Sequence, residues 1–124
     1  MIKTILIIED EEVLASFLKR KLLRRGYRSI VAADGKEGLE KIKEIRPDLI
    51  LLDVAMPKMD GFEVMEAKDR IEEIKDIPII IISNSGQPVE ISRAQKLGAK
   101  DWIIKTNFDP EEVVGKVEKI LPLN

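Results

Sequence analysis

Two residue types are missing from this sequence altogether. Its 124 residues contain no cysteine, which excludes disulfides, thiolate metal ligands and a cysteine nucleophile. They contain no histidine, which removes the triad hydrolases, His-rich zinc sites and the commonest general base. Tryptophan occurs once. No apolar run approaches the length of a membrane span, and the amino terminus lacks a signal peptide's pattern. An excess of one charge is lacking too: 21 Lys and Arg stand against 23 Asp and Glu, and a net charge of -2 gives no general pull toward nucleic acid. The expectation is a cytoplasmic protein without direct contact to nucleic acid or membrane. A single domain spanning 1–124 is long enough to bury a core without staples.

What is present begins with continuous apolar runs. "TILII" (4–8), "LILLD" (49–53), "IPIIIIS" (77–83) and "DWIIK" (101–105) read as strands buried on both faces, as in parallel sheets covered by helices. "YRSIVAA" (27–33) is a weaker strand candidate. Between them the period turns helical. Val13, Leu14, Phe17, Leu18 and Leu22 outline a first apolar face, stopped at Gly26. Asp34 with Glu37 reads as a capping box for a second helix burying Leu39, Ile42 and Ile45 and ending at Pro47. Asp60 with Glu63 repeats that signature before a third helix with Val64, Ala67, Ile71 and Ile74 inward. Pro88 opens a fourth (Ile91, Ala94, Leu97, stopped at Gly98), and Asp109 with Pro110 opens a fifth (Val113, Val114, Val117, Ile120, Leu121). Five β-α alternations predict a doubly wound α/β domain.

In such folds the functional crevice lies at the carboxyl ends of the strands. The residues there are Glu9 and Asp10, Asp53, Ser83 and Lys105. If the first and third strands are neighbours, their ends lie roughly 5 Å apart. Three carboxylates so close stay ionised only beside a cation. An oxygen-only donor set favours a hard ion, Mg²⁺ first. Glu11 and Glu12 read instead as ordinary first-turn acids favoured by the helix dipole. A metal ion, a carboxylate, a hydroxyl and an ammonium together suit phosphoryl transfer, with Asp53 as nucleophile and Ser83 and Lys105 holding transferred oxygens.

The pieces "IIEDE", "LLDVAMPKMDG" (51–61), "IISNS" (81–85) and "DWIIK", in order and each at a predicted strand end, resemble the receiver domain of two-component response regulators over the whole chain. The resemblance implies a flavodoxin-like sheet of five parallel strands in the order 2-1-3-4-5 with five helices. It implies Asp53 as phosphoacceptor and Glu9, Asp10 and Asp53 as Mg²⁺ ligands, together with the backbone carbonyl of Ala55. Ser83 would hold the phosphate and shift on activation, Lys105 would be the site's lysine, and Trp102 would take the slot of the switch aromatic, turning from an exposed to a buried rotamer. The implied partners are a sensor histidine kinase or phosphotransfer protein as donor and a downstream effector protein. Such a domain catalyses its own phosphorylation and slow dephosphorylation rather than turning over a substrate.

Three departures from the family pattern bear on switching and phosphate lifetime. The lysine is followed by Thr106 instead of proline, so the bond is expected to be trans and Lys105 aimed differently. Asn84 stands where a very small residue is usual, and Trp102 where Tyr or Phe is usual. A pseudo-receiver, a binding module with this fold that is never phosphorylated, is the competing reading. A flavin carrier is opposed by "EDEE", which repels phosphate. A haloacid-dehalogenase-type phosphatase needs an acid two residues after the nucleophile, and that position is Ala55. The basic residues Lys19, Arg20, Lys21, Arg24, Arg25 and Arg28 read as a solvated helix face or a docking surface. No effector segment follows Leu121, which reads as a stand-alone receiver or an excised one.

Overall fold

The structure is a computed structural model describing residues 2–107 and 109–123. Strands β1 (Thr4–Ile8), β2 (Arg28–Ala32), β3 (Leu49–Asp53), β4 (Ile79–Ser83) and β5 (Ala99–Ile104) alternate with helices α1 (Glu12–Arg24), α2 (Gly35–Ile45), α3 (Gly61–Asp69), α4 (Pro88–Lys96) and α5 (Pro110–Ile120). All pairings are parallel, in the order β2-β1-β3-β4-β5. This is the flavodoxin-like arrangement expected from the sequence.

Alternation along the central strands divides the core in two. Ile5, Ile7, Leu51, Ile80 and Ile82 face α1 and α5. Leu6, Ile8, Ile50, Leu52 and Ile81 face α2, α3 and α4. Both sets are essentially inaccessible to water, which explains why these strands read as unbroken apolar runs.

The helix boundaries follow their caps. Asp34 accepts from the Glu37 backbone N–H at 2.8 Å, while Glu37 reaches back to the N–H of Ala33 instead of closing the box on Asp34. Asp60 and Glu63 form the full reciprocal box at the start of α3. Gly61 sits where an added Cβ would meet the Asp53 carbonyl oxygen at 2.5 Å, so only glycine lets α3 start directly against the end of β3.

Two helix faces differ from the sequence expectation. On α1, Val13 is 85 % exposed and Phe17 is exposed, whereas Ala15, Leu18 and Leu22 are buried. The small Ala15 lets the helix approach the sheet, and the buried stripe therefore runs through it rather than through the larger flanking residues. Helix α3 ends at Asp69, so Ile71 and Ile74 belong to the following turns. The buried residues of α3 are Gly61, Phe62, Val64, Met65 and Lys68. Lys68 carries no signal in the sequence, because a lysine at an inward position breaks the apolar pattern. Its ammonium donates to the Lys75 carbonyl at 2.7 Å, and burial pushes its pKa down.

Candidate functional site

The site gathers where the order of the strands reverses. Ile8 of β1 pairs with Leu52 of β3, so Glu9 emerges beside Asp53. Asp53 in turn lies opposite Ile82, one residue before Ser83. Glu9, Asp53 and Ser83 are buried, while Asp10 and Ala55 are exposed. One carboxylate oxygen from each of Glu9, Asp10 and Asp53 lies within 4.8 Å of the others.

Lys105 reaches this cluster from the turn after β5. Its ammonium donates to Asp53 Oδ2 at 3.1 Å and to Glu11 Oε2 at 2.9 Å, and lies 2.8 Å from Glu9 Oε1. The peptide bond after Lys105 is trans, as expected, and the side chain meets Asp53. Asp53 Oδ1 accepts from the Ala55 N–H at 3.3 Å, and Glu9 Oε2 accepts from the Glu11 N–H at 3.0 Å. Glu9 Oε1 is within ion-pairing distance of Lys105 but off the hydrogen-bonding direction, which leaves this buried oxygen without a hydrogen bond.

Sequence reasoning missed Glu11, reading it as a first-turn acid. It is the N-cap residue of α1, makes no side-chain cap, and directs its carboxylate to Lys105 instead. No local signal separates it from Glu12, because its partner is 94 positions away.

The electrostatics follow from burial. Desolvation, with the neighbouring Asp53 charge adding to it, pushes Glu9 up to about 7 against the pull of Lys105 and the Glu11 N–H. Burial likewise raises Asp53 above the usual carboxylate range despite Lys105. Burial pulls the Lys105 ammonium down, but its contacts with Glu9 and Glu11 outweigh this and hold it above its ordinary value. Oxygen donors in excess of cations, one of them buried without a hydrogen bond, fit a hard divalent ion.

Behind the site, Ser83 Oγ accepts from the Ser85 N–H at 3.2 Å, and the Ser85 carbonyl accepts from Trp102 Nε1 at 2.8 Å. The indole is half-buried against the α4 side of the core, beside a cleft of about 290 Å³ lined by Ile91, Ala94 and Ala99. Trp102 is thus partly exposed, with its indole N–H engaged. Asn84 points into solvent. Of the basic cluster, Lys21 and Arg25 are engaged within the chain: both pair with Glu111 of α5, and Arg25 also pairs with Glu118. Among the described residues, no helix is long and apolar enough to cross a membrane.

A doubly wound parallel sheet with buried acids and a lysine at its switch point defines an α/β domain with a polar crevice at the carboxyl ends of its strands. The chain belongs to the response regulator receiver domain family, whose model matches residues 5–118. It is 39% identical over 121 residues to the alkaline phosphatase synthesis transcriptional regulatory protein PhoP of Bacillus subtilis, covering 98% of this chain and 49% of that protein. It is 35% identical to the chemotaxis protein CheY of Thermotoga maritima, covering 95% of this chain and 97% of that one. The chain thus spans about half the length of the transcriptional regulators PhoP and AfsQ1 that it matches. The crystallised chemotaxis protein CheY4 of Vibrio cholerae superposes with a TM-score of 0.90 at 30% identity, covering 98% of this chain and 100% of that one. Members of this family bind Mg²⁺ at an acidic pocket and interact with histidine kinases and effectors.

Proposed function

We propose that Asp53 is the phosphoacceptor of this receiver domain and takes its phosphoryl group from a phosphohistidine of a sensor histidine kinase or phosphotransfer protein. The observation that carries the reading is the placement of a buried Asp53 carboxylate in contact with Lys105 and grouped with Glu9 and Asp10. Glu9, Asp10 and Asp53 would hold Mg²⁺, with the Ala55 carbonyl as a further ligand. When bound, the ion supplies charge neutralisation for the phosphoryl oxygens.

In the transfer, an Asp53 carboxylate oxygen bonds to phosphorus as the P–N bond to the donor imidazole breaks, and the imidazole leaves with the bonding pair. Lys105 neutralises charge on the transferred group, and the Ser83 hydroxyl donates to one of its oxygens. Incubation with acetyl phosphate and Mg²⁺ followed by intact-mass spectrometry tests this. The expected result is one base-labile phosphoryl group on the wild type and none on Asp53→Ala. An unmodified wild type would favour the pseudo-receiver reading, an interaction module that is never phosphorylated.

The switch would run from Ser83 through Ser85 to Trp102, toward a surface read by a downstream effector protein. Drawing Ser83 toward the phosphate disturbs the Ser85 N–H that its hydroxyl now accepts, and Ser85 in turn holds the indole. Mg²⁺ with beryllofluoride, a phosphoryl mimic, should therefore shift the emission of the only tryptophan, while Asp53→Ala should show no shift. A mimic that binds by calorimetry but leaves the emission unchanged makes Trp102 a static aromatic.

A further inference from the structure

Glu11 is the most exposed of the three acids around Lys105: its side chain is 56% accessible, against 3% for Glu9 and 4% for Asp53. It is also the one with no other side-chain role. As N-cap it could accept from the first turn of α1, yet it makes no such bond and contacts the Lys105 ammonium at 2.9 Å. The ammonium donates to Glu11 and Asp53 and lies 2.8 Å from Glu9, so three carboxylates crowd it. An incoming phosphoryl oxygen competes with them for the ammonium, and the solvent-facing partner is the least costly to release.

From this geometry we infer that Glu11 is a positioning residue that acts as a brake on phosphorylation. It holds Lys105 at the mouth of the site in direct competition with the phosphoryl group arriving at Asp53. The inference rests on the phosphoacceptor reading of Asp53. In the assay reaction an Asp53 oxygen bonds to phosphorus, the P–O bond to the acetyl group of acetyl phosphate breaks, and acetate leaves with the bonding pair. Lys105 must face the phosphoryl oxygens at that moment. In the wild type part of its time is spent on Glu11.

Two substitutions distinguish positioning from simple repulsion. Glu11→Gln removes the charge. Glu11→Asp keeps the charge but shortens the reach, and at an N-cap a shorter acid turns back to accept from the first turn of its own helix. Rates of acetyl phosphate incorporation with saturating Mg²⁺, measured by intact mass on the full chain, should rise about fivefold in both variants, the rate equivalent of a partly exposed ion pair. Glu11→Asp should also melt at a higher temperature than the wild type. If Glu11→Gln is faster while Glu11→Asp stays at the wild-type rate, Glu11 is only a repulsive charge and the positioning role is overturned. Rates that are unchanged or lower in both variants overturn it as well. A wild type that takes up no phosphoryl group overturns the phosphoacceptor reading and the brake together, whereas equal adduct formation in all three proteins removes the brake alone.

Discussion

Replacing Lys105 by methionine should destabilise the metal-free protein by about 3 kcal/mol at pH 8, the scale found when one partner of a buried ion pair is removed. Lys105 is the cation that the structure brings against Glu9 and Asp53, two carboxylates with almost no access to water. Methionine fills the aliphatic stem's space but leaves the acids facing one another uncompensated. Two further results follow from the same cause. The loss should shrink below pH 6, where Glu9 is protonated and the repulsion is relieved. Mg²⁺ should bind the variant more tightly and restore most of the lost stability, because a like-charged competitor has gone. Phosphotransfer should nevertheless be slower than in the wild type, since the ion does not replace the charge-assisted contact to the transferred group. Urea denaturation with and without Mg²⁺, together with calorimetry, reads the stability and affinity terms. A metal-free variant as stable as the wild type at pH 8 would show that Lys105 is not the counter-ion of these acids.

The second large effect is the pH dependence of stability without metal. Glu9 holds its proton to about pH 7 in the folded chain, against an ordinary value of 4.5. Between those values the native state binds more protons than the unfolded one, so stability falls as pH rises. At about 1.4 kcal/mol per pH unit, the group withdraws at most about 3.5 kcal/mol across the interval. Asp53 is shifted in the same direction and adds to the slope. The Lys105 contribution is retained until far higher pH, because its pKa is raised above 10.5, and it does not mask the effect. In EDTA the melting temperature should therefore decline from pH 5 to pH 7.5. The stabilisation on adding Mg²⁺ should grow over the same interval, since proton and metal compete for the same oxygens. Glu9→Gln should flatten the metal-free slope. An equally steep decline in that variant would place its origin outside the site.

Much of this site was legible in the linear chain. Asp53 and Ser83 are the last residues of β3 and β4, and Glu9 and Asp10 follow β1 at once. A strand buried on both faces imposes a continuous apolar run, and its carboxyl end is where polar groups first regain the surface, so the break in each run marks the crevice. The caps at Asp34, Asp60 and Asp109 were equally plain, because capping is a contact among near neighbours.

The tertiary structure alone decided which of four consecutive acids serve the site. Glu9, Asp10, Glu11 and Glu12 are alike as a string. Glu9 is buried beside Asp53, Asp10 completes the oxygen cluster from the surface, Glu11 pairs with Lys105, and Glu12 only begins a helix. The phase of α1 is also a tertiary outcome: the apolar period read through Val13 and Phe17 lies exposed, and the buried stripe runs through the smaller Ala15. Lys68, inward-facing on α3, depended on the Lys75 carbonyl being left free by the turn that follows. Each of these outcomes turns on which groups the crossovers bring within about 3 Å of one another, the range over which hydrogen bonds and ion pairs act. Local pattern has no access to that distance when the partners are tens of residues apart.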